Sequence, residues 1–434
     1  MKRTQKDILI VGFALFSMFF GAGNMIFPPY LGLRCGTQWL LGFICYYAAD
    51  IGLALLALFA VLRAGNPESV FCRLAQIPAS ALMFCIVLCI GPLLAIPRTA
   101  ATTYDLALSP LISGVSPVSF SLLFFFLIAL LCLRQSAVLD IVGKVLTPLL
   151  FLGLLILIIN GIIDPVGPIS DTAPRNHVAS MGIEAGYQTM DVLAAILFGI
   201  IVLKDVREKG YETAPAQFRI ISAASLIAAF ALLIIYLGLT YLGATASNRF
   251  APDIPRTTLV ISIVHALMGP TGSTLFSIIV ALACTTTAAA LVCAAALYVS
   301  RLLKERLKYS HSVIIICAFS AIVASFGLEK IVSVSLPILN VVYPPALVLI
   351  FLSFFNRHIK NDWVFRFSAL GALITSLFAV ATDLGAPFTW IHHLPLSTLG
   401  FSWILPSIFG GLLGGISRKI LPATLFFKNS DNDT

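Results

Sequence analysis

Phe19-Phe20-Gly21-Ala22-Gly23-Asn24-Met25-Ile26-Phe27-Pro28-Pro29 lies inside the first long apolar run of the chain. Two glycines, an amide and two prolines so close together do not suit an unbroken helix, because Gly imposes little backbone preference and Pro removes a donor. The stretch predicts a helix interrupted near residues 20–24, with main-chain carbonyls and N–H groups left for other partners. Irregular backbone at membrane depth is tolerated only where it lines a cavity or is buried in protein, so the break is a candidate binding site. The plainer alternative is that the small residues only let helices approach closely while the prolines end the span; it leaves Asn24 beside the glycines unexplained.

That a membrane is the relevant solvent follows from composition. The 434 residues are 59% hydrophobic and 11% charged, with a mean hydropathy of +1.01, which leaves too little polar surface to coat a soluble globule. A hydrocarbon core of about 30 Å takes about 20 helical residues, and in lipid each backbone group must be satisfied within the chain. The expected fold is therefore all-α and polytopic, without the strand alternation of a barrel. Twelve spans are predicted, over 8–33, 38–62, 79–109, 118–133, 143–163, 184–203, 219–246, 271–300, 312–328, 331–355, 367–387 and 399–417. An amphipathic stretch at 256–268 is expected along the outer surface. The connections are short, the longest spanning 164–183, so residues 1–434 read as a single transmembrane domain with a short polar tail at 428–434.

Basic residues set the orientation, since cytoplasmic loops retain an excess of Lys and Arg. Twenty-one of the 27 fall on one side: Lys2, Arg3, Lys6, Arg63, Arg73, Arg134, Lys144, Lys204, Arg207, Lys209, Arg219, Arg301, Lys304, Arg306, Lys308, Arg357, Lys360, Arg366, Arg418, Lys419 and Lys428. The other side holds Arg34, Arg98, Arg175, Arg249, Arg256 and Lys330, which predicts both termini in the cytoplasm. The net charge of +8 is then a matter of topology and anionic lipid headgroups rather than of nucleic acid. The N-terminal apolar run lacks an A-x-A cleavage site and reads as a span, not a signal peptide.

The motifs of catalysis are missing from the sequence. It contains no H-E-x-x-H pair, no G-x-S-x-G elbow and no G-x-x-x-x-G-K-[ST] nucleotide loop, and His265 alone makes a poor base. The nine cysteines lie mostly in apolar spans without zinc-type spacing, and the adjacent His392 and His393 point apart. No enzyme activity, nucleotide or cofactor is expected.

If one span is discontinuous, the first span of a second half should be as well, and the sixth opens with Gly186-Tyr187-Gln188-Thr189-Met190-Asp191. Five spans per half give repeats over about 8–163 and 184–355, inverted because five is odd, with spans eleven and twelve at 367–417 outside them. Carboxylates in lipid cost about 2.5–3.5 kcal/mol to insert, so Asp50 near the middle of span two and Asp191 in span six need partners. Asp191 adjoins the second break and is open to three roles: coordinating a cation, orienting Asn24, or pairing with a substrate ammonium. Asp50 in span two has the plainer reading of a protonated acid hydrogen-bonded by Tyr46 or Tyr47. Arg98 is expected near the outer end of span three, either at an external gate or snorkelling to headgroups. Glu184, Glu329 and Lys330 read as interfacial charges.

GAGNMIFPPYLGL (21–33), GPLLAIPRTAATTYD (91–105), GYQTMD (186–191) and LACTTTAAAL (282–291) resemble signature stretches of the branched-chain amino acid:cation symporter family. The resemblance runs through nearly the whole chain. It implies a LeuT-type five-plus-five inverted repeat with discontinuous spans one and six. The function it implies is import of leucine, isoleucine or valine by alternating access, with sodium as coupling ion and protons as the alternative, in a bacterial inner membrane. On that pattern Ala22, Gly23 and Asn24, with Tyr187 and Thr189, are implied substrate-binding residues. A cation is implied between the Ser17, Phe20 and Ala283 carbonyls and the Thr286 and Thr287 hydroxyls, with Asp191 and Asp50 as further coupling carboxylates. Thr285, one of three consecutive hydroxyls that cannot all face one cavity, is expected to bond back to its own helix.

Overall fold

The first span is two helices. α1 (Arg3–Phe19) ends before Phe20 and α2 (Ala22–Cys35) starts after Gly21, within the stretch that predicts the break. The structure is a computed structural model that describes residues 3–112, 114–133, 147–171, 177–303 and 306–417. Among these residues the regular elements are all helical and no β-strand occurs. Lys2, Arg134, Lys144, Arg175, Lys304, Arg418, Lys419 and Lys428 lie outside the described residues, as do the first positions of span five, 143–146, and the tail 428–434.

Each of the twelve expected spans has a helical counterpart among the described residues. Span two is α3 (Trp39–Tyr47) and α4 (Leu53–Ala64), joined by a π turn at Ala48–Gly52 that carries Asp50. After the short α5 (Pro67–Val70), span three divides into α6 (Gln76–Leu88) and α7 (Ala95–Thr103). Between them a π turn at Cys89–Leu93 loses helical angles at Gly91 (φ −83°, ψ −128°) beside Pro92. Read as a continuous helix from the sequence, span three is thus broken too, because Pro92 lacks an N–H and its ring crowds the carbonyl four residues earlier. Spans four and five are α8 (Pro117–Leu133) and α9 (Thr147–Ile163).

Span six corrects its expected boundary. α10 (Val178–Thr189) begins well before residue 184, and the chain breaks at Met190 before α11 (Asp191–Glu208), so Gly186–Thr189 end a helix rather than open one. Span seven is α12 (Ala214–Thr245). α13 (Arg256–Leu302) joins the stretch 256–268 to span eight across a non-helical Gly269 (φ 66°, ψ −165°) followed by Pro270. Spans nine to twelve are α14 (Tyr309–Ala324), α15 (Leu328–Ser353), α16 (Asp362–Asp383) and α17 (Ile404–Ser417).

Among the described residues six helical stretches are long and apolar enough to cross a membrane, and Pro117–Leu133, Tyr309–Ala324 and Ile404–Ser417 are shorter apolar helices. Large apolar side chains such as Leu122, Phe126, Leu226, Phe230, Ile322, Phe409 and Leu412 are exposed on these helices, as a lipid-facing surface requires.

The chain forms two compact units, residues 1–59 with 87–336, and residues 60–86 with 337–434. In the first, α2 and α12 pack at backbone contact: a Cβ on Gly32 would meet the Thr240 carbonyl, and one on Gly243 the Pro29 carbonyl. Small residues of this kind are what allow close helix approach in a bilayer. In the second, α16 packs on α17, and Arg73 Nη1 bonds Asp362 Oδ1 at 2.6 Å while its guanidinium covers the Phe365 ring at 5.5 Å.

Candidate functional site

The breaks in spans one and six bring four helix ends to one cavity in the first unit. Met18, Phe19, Gly21, Ala22, Gly23 and Asn24 line it from span one, and Thr189, Met190, Asp191, Ala194 and Phe198 from span six. Ile90, Ala95, Arg98 and Thr99 come from span three, and Thr287 and Leu291 from span eight. The first turn of a helix has N–H groups without intrahelical partners and carries partial positive charge. At α2 no N-cap side chain takes them, since Gly21 occupies the N-cap position, and Ala22 and Gly23 line the cavity.

Asn24 ties the two breaks together. Its Nδ2, with two hydrogens, is within hydrogen-bond reach of three acceptors: the Phe19 carbonyl at the end of α1 (2.9 Å), Asp191 Oδ2 at the start of α11 (2.7 Å) and the Tyr236 hydroxyl of α12. Of the three roles open to Asp191, the orienting contact with Asn24 is present. Tyr236 is fully buried, with its ring stacked near Phe20 (6.1 Å) and edge-on to Tyr46 (5.7 Å). Nothing in the sequence singles it out, since an aromatic residue in an apolar span looks like any other core side chain.

Asp50 is fully buried, and Thr189 Oγ1 donates to its Oδ1 at 2.8 Å. The same oxygen lies 2.6 Å from the Gly186 carbonyl and 3.5 Å from the Asp191 main-chain nitrogen, so Thr189 ties the Asp50 carboxylate to the backbone at the break. Tyr47, offered as a partner for Asp50, instead donates to the Ala229 carbonyl at 2.8 Å. Tyr187 is buried in α10 but is not among the cavity-lining residues.

The three threonines of span eight differ in their partners. Thr285 Oγ1 bonds back to the Ala281 carbonyl at 2.7 Å, the local satisfaction expected of it. Thr286 Oγ1 donates to the Ala283 carbonyl at 2.8 Å, which puts two of the implied oxygen ligands side by side. Thr287 Oγ1 reaches across to the Phe20 carbonyl at 3.4 Å, joining span eight to the break in span one. Ser17, on the last turn of α1, is buried, as are Phe20 and Ala283. A threonine hydroxyl that donates its hydrogen still has oxygen lone pairs for a hard cation.

Arg98 corrects the sequence expectation most strongly. It neither snorkels nor sits at an outer end: it is 3% exposed, lines the cavity, and donates from Nη1 to the Gln188 carbonyl (2.5 Å) and from Nη2 to the Thr189 carbonyl (3.0 Å). The break at Gly91–Pro92 shortly before it is the signal that could have placed it. Glu329, read as an interfacial charge, forms an ion pair with Arg256, whose guanidinium covers the Tyr30 ring at 4.7 Å.

The chain is 36% identical over 423 residues to the branched-chain amino acid permease BraB of Bacillus subtilis (strain 168), covering 94% of this chain and 95% of the relative. It is also 36% identical over 417 residues to the branched-chain amino acid transport system 3 carrier protein of Pseudomonas aeruginosa, covering 93% and 94%. Among solved structures, a Na+-coupled sialic acid symporter in a substrate-bound outward-open state has a TM-score of 0.62 at 13% identity, over 94% of this chain and 90% of that one. MhsT in complex with L-phenylalanine gives 0.59 at 15% identity, over 94% and 98%. The fold is thus the LeuT-type all-α architecture with spans one and six discontinuous, in a multi-pass membrane protein. The family described as branched-chain amino acid transport protein matches residues 4–421, and the chain belongs to it.

Proposed function

We propose that the protein is a secondary symporter that imports leucine, isoleucine and valine, driven by an inward sodium gradient. The family is one of carriers, not of enzymes. The observation that carries the sodium reading is the contact of Thr287 Oγ1 with the Phe20 carbonyl at 3.4 Å, beside the Thr286 hydroxyl and Ala283 carbonyl pair. Carbonyl and hydroxyl oxygens from a broken span and an intact one are hard ligands whose spacing changes when either helix moves. With the Ser17 carbonyl they form the proposed cation site.

The substrate site is the adjoining cavity. Its carboxylate goes to the N–H groups at Ala22 and Gly23, its ammonium to the end held by Asp191 and Asn24, and its branched side chain to the apolar wall of Met18, Ile90, Phe198 and Leu291. An apolar pocket discriminates by only about 1–3 kcal/mol per methylene, so the three substrates compete. Thr189 is assigned to the same site, and Tyr187 supports it from behind.

In the proposed cycle sodium fixes the break in span one against span eight, which completes the substrate site and lets one bundle rock against the rest. Residues 8–163 and 184–355 are the proposed inverted repeats, with spans eleven and twelve outside them and both termini in the cytoplasm of a bacterial cell. No nucleotide enters the cycle. A specific observation favours protons as the rival coupling ion: Asp50 and Asp191 are both buried beside the break in span six, where Thr189 bonds the Asp50 carboxylate and sits 3.5 Å from the Asp191 main-chain nitrogen.

Labelled leucine uptake into proteoliposomes, under an inward sodium gradient and separately under an inward proton gradient, decides between them. Sodium-driven accumulation is expected, with the half-saturating sodium concentration raised about tenfold or more in Thr287→Ala, as loss of a hydrogen-bonding group to a charge implies. Proton-driven uptake indifferent to sodium would move the coupling to Asp50 and Asp191. No accumulation under either gradient would overturn the symporter reading.

A further inference from the structure

The proposed cycle gives Arg98 no task, yet a guanidinium buried in a membrane span is rare unless function requires it. Its position is built with care. The break at Gly91 and Pro92 ends α6, α7 begins at Ala95, and Arg98 comes one turn later with its amide on the Leu94 carbonyl at 3.2 Å. On one side Nη1 and Nη2 bond the Gln188 and Thr189 carbonyls, the last of α10, where the helix carries partial negative charge.

The other side of the guanidinium is the informative one. A Cβ on Gly23 would stand 2.9 Å from Nη2 and 3.2 Å from Cζ, so the group lies against the first turn of α2. The ring of Phe27, one turn further on, is 5.5 Å from Cζ. A fixed cation and the positive end of a helix thus converge on one cavity. Of the resident carboxylates, Asp191 accepts from Asn24 and lies within electrostatic reach of the Arg98 guanidinium, and Asp50 accepts from Thr189. A guanidinium has five N–H donors in a planar fork, enough to keep both carbonyls and to receive a carboxylate on its edge.

We propose that Arg98 binds the α-carboxylate of the transported amino acid together with the N–H groups of Ala22 and Gly23, and makes the carrier demand a free carboxylate. The proposal rests on the transport reading above and names the specificity-determining residue of its substrate site. Gly23 is part of the same device, since a side chain there would occupy the space of the guanidinium. Amino acids with a free carboxylate fit; leucinamide and leucinol, which keep the side chain and ammonium, do not.

The test is displacement of labelled leucine from the purified full-length carrier in sodium, using unlabelled leucine, leucinamide and leucinol against wild type, Arg98→Gln and Arg98→Lys. In Arg98→Gln leucine affinity falls about 100-fold or more, while the weak affinities for leucinamide and leucinol change less than about threefold. Arg98→Lys keeps the charge but not the planar fork, so it recovers part of that loss and guards against a Gln variant that does not fold. Equal losses for leucine and leucinamide in both variants would make Arg98 a brace for α10 only and overturn the proposal. So would an undiminished preference for leucine in either variant. Wild type that binds no leucine would instead overturn the transport reading on which it rests.

Discussion

Span one breaks at Gly21, whose φ of −113° and ψ of −168° are extended angles open to any residue, whereas span six breaks at Met190, whose φ of 68° and ψ of 12° lie in the left-handed region. Glycine stands where the dihedrals do not need it, and methionine where glycine would be favoured. Gly21 is there for room: a Cβ would come 3.1 Å from Thr287 Cγ2 and 3.5 Å from Thr287 Oγ1, between the break and the proposed cation ligands. Met190 is held from outside. Its neighbour Thr189 has its carbonyl on Arg98 and its hydroxyl on Asp50, while Asp191 accepts from Asn24. A left-handed non-glycine residue costs about 1–2 kcal/mol and persists only where the surroundings over-determine it. The first break is therefore written in local sequence, and the second is imposed by tertiary contacts.

The largest effect expected from this contrast is at the bond joining the two. Asp191→Ala removes the acceptor that Asn24 Nδ2 meets at 2.7 Å and with it the direct tie between the breaks. Leucine uptake should fall about 100-fold, and stability to unfolding in detergent by about 1–3 kcal/mol, the scale of a buried donor left unsatisfied. Retention of more than a tenth of the uptake would show that the breaks act independently.

A smaller effect separates the two backbones themselves. Met190→Ile and Met190→Leu replace a buried side chain by others of like volume, but only isoleucine is β-branched, and a β-branched residue at positive φ is a genuine outlier. The isoleucine variant should be less stable than the leucine one by about 1–2 kcal/mol in thermal unfolding. Gly21→Ala, at angles alanine accepts, should cost less than about 1 kcal/mol. Equal stabilities for the two Met190 variants would mean that span six is not held in its left-handed turn.

The same contrast explains what the sequence made legible. Gly21, Gly23, Asn24 and Pro28-Pro29 announce an irregular backbone by their own chemistry, and the break is found among them. The span lengths follow from apolar runs that a bilayer demands, so all twelve have counterparts among the described residues. In span six GYQTMD marked the right neighbourhood but not the position, because Met190 has no intrinsic preference for the angles that its neighbours impose. Gly91-Pro92 was a legible breaker in span three, a dipeptide that punctuates chains, and reading it would have placed Arg98 inside the protein. Tyr236 was not legible at all: its role depends on α12 lying beside the break, a fact of packing that no local pattern carries.

The smallest effect concerns three neighbours that look alike in sequence. Thr285, Thr286 and Thr287 are consecutive, so successive side chains leave the helix about 100° apart. Thr285 Oγ1 is occupied by the Ala281 carbonyl of its own helix and is not among the cavity-lining residues, while Thr287 Oγ1 addresses the Phe20 carbonyl across the site. A hydroxyl satisfied within its own helix adds no hydrogen bond between helices, so Thr285→Ala should change sodium-driven leucine uptake less than about twofold and stability by less than about 0.5 kcal/mol. Measured against Thr287→Ala in the same proteoliposomes, it calibrates what loss of a hydroxyl alone does to span eight. A rise in half-saturating sodium as large as that of Thr287→Ala would place the cation on the wrong face of the helix and detach it from the break in span one.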